Sequence, residues 1–104
     1  MLESIKKILG IGPAVDYGTL VRQGAIILDV RSKGEYSGGH IKGSINIPVD
    51  QLKSNLSRLP DKQKPIITCC ASGMRSSSAK SILKSIGYTE VYNGGGWAEL
   101  RNQL

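Results

Sequence analysis

Residues 65–76 read Pro65-Ile66-Ile67-Thr68-Cys69-Cys70-Ala71-Ser72-Gly73-Met74-Arg75-Ser76. The first half is a continuous apolar, β-branched run, the signature of a strand buried on both faces. It ends on a cysteine, and a tight loop of small residues follows. Ala79, Ile82, Leu83 and Ile86 then fall at the i, i+3, i+4 and i+7 positions of a helix that Gly87 stops. A loop between such a strand and helix lies beyond the strand's carboxyl end, where parallel sheets bind their ligands.

That position has chemical consequences. Successive backbone N–H groups of the loop can converge on one point, and the helix N-terminus adds partial positive charge. A free thiol, with a pKa of about 8.5, is only a few per cent thiolate at neutral pH. Helix N-termini and neighbouring cations lower that pKa into a range of roughly 3.5–7.5. Cys70 is therefore the candidate nucleophile, and Ala71, Ser72, Gly73, Met74, Arg75 and Ser76 form the candidate substrate cradle. Arg75 supplies a cation at the loop's end, and Gly73 permits a bend that a Cβ would obstruct. A lone cysteine at a strand end is ordinarily a small buried hydrophobe; the loop, Gly73, Arg75 and the following helix set Cys70 apart. Side chains alternate along a strand, so Cys69 faces away from Cys70 and reads as core packing. Its alternative role, a resolving thiol attacking sulfur carried on Cys70, is geometrically awkward.

Outward from this stretch, strand and helix patterns alternate. Ala25 to Val30 is a second buried apolar run, followed by Ser32 and Glu35 at capping-box spacing. Gly38-Gly39 keeps that helix short. Ser44 to Ile47 is a brief strand closed by Pro48. Leu52, Leu56 and Leu59 sit at helical spacing before Pro60-Asp61. Thr89 to Tyr92 predicts a last strand, with a short helix after Gly94-Gly95-Gly96. The pattern is that of an α/β domain built on a mostly parallel sheet. At the amino end, Leu2, Ile5, Ile8 and Leu9 share one face, so residues 1–12 are expected to form an amphipathic helix packed on a domain spanning 13–104.

Composition bounds the partners. A chain of 104 residues has room for one domain. The net charge of +6 comes from scattered lysines and arginines, only Lys6-Lys7 being adjacent. There is no polybasic arm for nucleic acid, and the balance favours small anions. No run approaches the ~18 apolar residues of a membrane span, and no signal-peptide core stands at the amino end, so the expected location is cytoplasmic. Two adjacent cysteines and a single histidine do not make a zinc site, and no metal or cofactor is expected. Free thiols suit a reducing compartment.

Further motifs surround the cysteine loop: Leu28-Asp29-Val30-Arg31, Glu35-Tyr36, Gly39-His40-Ile41-Lys42-Gly43-Ser44-Ile45-Asn46-Ile47-Pro48 and Tyr92-Asn93-Gly94-Gly95-Gly96-Trp97. In their order and spacing, the chain resembles the rhodanese family over about residues 13 to 104. The resemblance implies a rhodanese-like fold, a five-stranded, mostly parallel sheet flanked by helices on both faces. It implies a sulfurtransferase that moves sulfane sulfur through a Cys70 persulfide. The donor is thiosulfate, a polysulfide or a protein persulfide; the acceptor is cyanide or a thiol.

Four residues separate Cys70 from Arg75. The related cell-cycle phosphatases and arsenate reductases have one more, and the shorter loop favours sulfur. The alternatives are a non-catalytic or partner-dependent persulfide carrier and, further off, a thiolate phosphatase or arsenate reductase. Asp29 and Arg31, at a strand's carboxyl end, are expected to support loops by charge-assisted hydrogen bonds. His40 is placed in a structural turn and Trp97 in the core. With Arg75 the loop's single cation, thiosulfate is expected to be a modest donor and a persulfide the physiological one.

Overall fold

The structure is a computed structural model, and it describes residues 14–104. The helix expected over residues 1–12 lies outside the described residues. In chain order the elements are α1 (Tyr17–Arg22), β1 (Ile26–Asp29), α2 (Lys33–Ser37), β2 (Ile45–Asn46), β3 (Ile66–Cys70), α3 (Met74–Ile86), β4 (Val91–Gly96) and α4 (Trp97–Arg101). The strands pair in the order β2-β1-β3-β4, and every pairing is parallel. The two strands richest in β-branched residues, β1 and β3, are the central pair, with Ile26 opposite Ile66 and Leu28 opposite Thr68.

Period-two alternation divides the core between the two faces of this sheet. Leu28, Val30, Ile66 and Cys70 pack with Leu52, Leu59, Ala79 and Leu83 on the face covered by α3. Ile27, Ile67 and Cys69 pack with Leu100, Leu20, Val21 and Trp97 on the face covered by α1 and α4. Helices therefore flank both faces, as expected. The number of strands is corrected: the described residues hold four, where the resemblance implied five. Four apolar stretches were readable in the chain, and those four find ladder partners; residues 14–16, before α1, join none. No helix among the described residues is long and apolar enough to cross a membrane.

Three local readings change. Residues 52–59 form no α-helix; Val49–Gln51 and Lys53–Arg58 are 3-10 turns interrupted at Asn55. The Asn55 side chain donates to the Gln51 carbonyl at 2.8 Å, occupying the acceptor its own backbone N–H would use in an α-helix. Leu52 and Leu59 are buried all the same. Helix α1 has a weak sequence signal, chiefly Asp16, whose carboxylate accepts the Thr19 N–H at 3.0 Å as an N-cap. Strand β4 begins and ends later than expected. Asn93 lies opposite Thr68 and Gly96 opposite Cys70, so β4 carries one extra residue there, a bulge.

The glycine triplet makes that bulge possible. Gly95 holds φ +78°, and a Cβ on Gly94 would stand 2.9 Å from Ile67 Cγ2, Leu100 Cδ2 and the Thr68 carbonyl oxygen. Gly94→Ala is expected to destabilise the fold by about 1–3 kcal/mol, the usual cost of overpacking. In a domain this size each kcal/mol lowers Tm by about 4–8 °C. Gly34→Ala, where a Cβ meets nothing within 4 Å, should leave Tm unchanged or slightly raised. Thermal unfolding followed by circular dichroism compares the two.

Candidate active site

Strand β3 delivers Cys70 to the sheet's carboxyl edge, and the next residues fold back over its sulfur. The Gly73 N–H donates to Sγ at 3.0 Å and the Ser76 N–H at 3.4 Å. The turn depends on Gly73, which holds φ +109° as the residue preceding α3. Below the sulfur, Ser76 Oγ lies 3.4 Å from Cys70 Sγ, 3.1 Å from the Gly73 carbonyl oxygen and 2.6 Å from Asn93 Oδ1. Ser76 itself is fully buried.

One hydroxyl proton faces these three acceptors. With Cys70 as a thiol, its S–H donates to Ser76 Oγ and the serine donates to Asn93. With Cys70 ionised, the serine proton turns to the sulfur. Burial raises the Cys70 pKa, but hydrogen bonds from the Ser76 hydroxyl and from the Ser76, Gly73 and Ser72 backbones outweigh it, and the net shift is downward. Cys69 behaves oppositely. It faces the other core cluster, and burial, with Asp29 nearby, pushes its thiol up to about 12. Both cysteines are free.

The loop residues separate by what they do. The side chains of Ala71 and Ser72 are exposed, and Met74 is 80% exposed, so these residues line the mouth. Arg75 does not lie over the sulfur as a free cation. Its guanidinium makes a two-pronged bridge to Glu35, NH1 to Oε1 at 2.7 Å and NH2 to Oε2 at 2.9 Å. Glu35 also closes the expected capping box, its Oε1 accepting the Ser32 N–H at 3.1 Å. The Arg75 bond first, then those from Ser32, hold the Glu35 carboxyl at about 2.

Asp29 and Arg31 lie at the carboxyl end of β1, with Asp29 opposite Cys69 in the ladder. Arg31 Nη2 donates to Asp29 Oδ2 at 2.7 Å and to the Gly39 carbonyl at 2.7 Å, and its guanidinium carbon lies 4.6 Å from the Trp97 ring centroid. They make no hydrogen bond to Cys70. His40 stacks on Tyr36 with centroids 3.7 Å apart, and its Nδ1 donates to the Tyr36 carbonyl at 2.7 Å, a turn contact. Two residues have contacts at this site that the sequence does not announce, Glu35 with Arg75 and Asn93 with Ser76. In the sequence Asn93 lies inside a motif that assigns it no role, and the capping-box spacing alone accounts for Glu35.

The model of the family described as "Rhodanese-like domain" matches residues 14–103. The thiosulfate sulfurtransferase PspE of Escherichia coli is 38% identical over 74 residues, covering 70% of this chain and 71% of PspE. The structure titled human single-domain sulfurtransferase TSTD1 superposes with TM-score 0.76 at 30% identity, covering 89% of this chain and 98% of that one. A structure titled rhodanese with anions from E. coli gives TM-score 0.69 at 36% identity, covering 73% and 91%.

The two thiols should react differently. Iodoacetamide at neutral pH is expected to label Cys70 and leave Cys69 unmodified, read by peptide mass. Ser76→Ala removes a donor to the Cys70 thiolate, so its labelling profile should move to higher pH. The rate at pH 7 should fall about tenfold, the worth of one hydrogen bond to an ionised group. Equal labelling of both cysteines, or a Ser76→Ala profile moved to lower pH, would contradict this electrostatic account.

Proposed function

This chain belongs to the rhodanese-like domain family, and we propose that it is a sulfurtransferase that carries sulfane sulfur as a persulfide on Cys70. The observation that carries the reading is the Cys70 sulfur at the focus of the loop, with the Gly73 and Ser76 N–H groups donating to it. Hydrogen bonds favour its ionised form over the opposing effect of burial. A thiolate, not a thiol, is the nucleophile that such chemistry needs. The names of the relatives, thiosulfate sulfurtransferases among them, bear on the class of reaction.

The cycle has two displacements. The Cys70 thiolate attacks the outer sulfur of the donor, forming a new S–S bond while the donor's own bond to that sulfur breaks. The bonding pair leaves with the donor remnant, sulfite when the donor is thiosulfate. An acceptor such as cyanide or a thiolate then attacks the outer sulfur of the persulfide and returns Cys70 as thiolate. The loop's contribution is preorganised donors around developing negative charge, within ordinary covalent catalysis. Ala71, Ser72, Gly73, Met74 and Arg75 frame the donor. Ser76, buried beneath the sulfur, tunes the nucleophile instead of touching the donor. Asp29 and Arg31 act as loop support. Cytoplasm is the proposed location, since both thiols are free and a reducing compartment keeps them so.

Thiocyanate formation from thiosulfate and cyanide tests the reading. Wild type and Cys69→Ser are expected to turn over alike. Cys70→Ser should fall by about a thousandfold or more, as when a covalent nucleophile is removed. Incubation with a persulfide donor should add the mass of one sulfur atom to the peptide holding Cys70. Activity that survives in Cys70→Ser would overturn the assignment.

A further inference from the structure

Glu35 and Arg75 lie 40 positions apart in the chain, yet they meet across the mouth of the site. Each belongs to the first turn of a helix that follows a strand, Glu35 in α2 after β1 and Arg75 in α3 after β3. Because β1 and β3 are parallel neighbours, the two helix starts face each other over the same sheet edge. The bridge is two-pronged, at 2.7 and 2.9 Å, and each side chain is 38% exposed, so it borders solvent where a donor must enter.

Its geometry is not left to two flexible side chains. Glu35 Oε1 also accepts the Ser32 backbone N–H at 3.1 Å and the Ser32 hydroxyl at 3.0 Å, so the helix cap fixes the carboxylate before Arg75 arrives. The buried guanidinium at this edge, Arg31, is spent on buried Asp29. The Arg31 and Arg75 guanidinium groups thus each face a carboxylate, whereas Arg58, at the end of β2, donates to the Asn46 carbonyl at 2.8 Å. Thiosulfate carries its second negative charge on the sulfonate end that departs, and that end must sit at the mouth while Cys70 attacks the outer sulfur. There it meets a guanidinium fork already filled, and a carboxylate beside it.

We propose that Glu35 is a specificity-determining residue, which fills the Arg75 fork and selects donors of single negative charge, alkyl persulfides and thiosulfonates, over the thiosulfate dianion. This rests on the sulfurtransferase reading. Both donor classes balance in the same way. A thiosulfonate gives up its outer sulfur to Cys70 and leaves as a sulfinate; thiosulfate does so and leaves as sulfite. One S–S bond forms, one breaks, and the total charge is conserved. Glu35 takes no part in either bond change; it acts through charge and through Arg75.

The test compares Glu35→Gln with wild type, using thiosulfate and methanethiosulfonate as donors with cyanide as acceptor. Glutamine keeps an oxygen for the Ser32 cap and removes the charge. Because Coulomb energy scales with donor charge, a roughly threefold fall in KM for the monoanion corresponds to about tenfold for the dianion. The ratio of kcat/KM values should therefore move toward thiosulfate by about threefold, mostly through KM, and the movement should shrink at high salt. Glu35→Ala, which loses the cap as well, should move the ratio in the same direction. An unchanged ratio in Glu35→Gln, or a change seen in Glu35→Ala alone, would sink the specificity proposal while leaving sulfur transfer intact. If neither donor places sulfur on Cys70 of the wild type, the sulfurtransferase reading falls and this inference falls with it.

Discussion

Arg31, only 4% exposed, is held by contacts on every side of its guanidinium. Nε and Nη2 donate to the Asp29 carboxylate, Nη2 also to the Gly39 carbonyl, and Nη1 to the Glu35 carbonyl. Trp97 covers one ring-like face at 4.6 Å. A buried charge pair of this kind is weak proof of stability, because desolvation offsets most of the attraction. Its effect is on geometry. A planar fork with several fixed donors sets the relative positions of the β1 terminus, α2, the Gly39 turn and α4 at once, which the single point charge of a lysine does not. Asn46 on β2 adds to this by donating to the Asp29 and Arg31 carbonyls, both at 3.0 Å. Removing one partner would leave the other charge buried and unpaired, at a cost of about 3–5 kcal/mol. The position of Glu35, and so the charge balance at the mouth, depends on this arrangement.

On that frame short-range donors shift the Cys70 thiol toward its ionised form. The helix start and the Ser76 hydroxyl supply them; burial works against them and loses. Asn93 governs how much of the serine is available. Its Oδ1 accepts both the Ser76 hydroxyl and the Gly95 N–H, and its Nδ2 donates to the Gly73 carbonyl at 3.3 Å. Asn93 reaches this spot in regular register with Thr68, and the bulge that follows it brings Gly96 under the loop, where a Cβ would stand 3.0 Å from the Ala71 carbonyl oxygen. A Cβ on Gly73 would stand 3.6 Å from Gly95 Cα.

What could be read from the chain follows from the range of each interaction. Strand alternation and the loop-to-helix transition are local, so β1, β3, α3, the Ser32–Glu35 cap and the opposite facing of Cys69 and Cys70 were legible. Helix α1, only six residues with a single capping acid, gave too little periodic signal. The 52–59 segment showed helical spacing of its leucines, but Asn55 took a backbone acceptor and turned it into 3-10 geometry. The shift of β4 from 89–92 to Val91–Gly96 is a register effect, set by what lies opposite in β3. For the site, Cys70, Gly73 and Ser76 came from one contiguous stretch. Arg75 came from it too, but its partner Glu35 and the serine's partner Asn93 lie 40 and 17 residues away, and no spacing rule announces such pairs.

In the proposed cycle, a paired Arg75 changes what would hold a carried sulfur. The Gly73 and Ser76 N–H groups are already directed at Cys70 Sγ. The first-turn N–H groups of Met74 and Arg75 have no acceptor within α3 itself, since the first four donors of any helix precede its own carbonyls. They stand between the two used donors in sequence, at the positive end of a 13-residue helix. The outer sulfur of the proposed Cys70 persulfide would have these amides as preorganised partners, and none of them depends on the Arg75 side chain. Backbone donors hold a small polarisable anion without needing a second charge on it. In the proposed cycle the arginine, tied to Glu35 at the rim, is left to discriminate among donors as they enter. On the proposed reading, retention of sulfur falls to the main chain of the loop and choice of donor to the charged pair at its rim, Arg75 and Glu35.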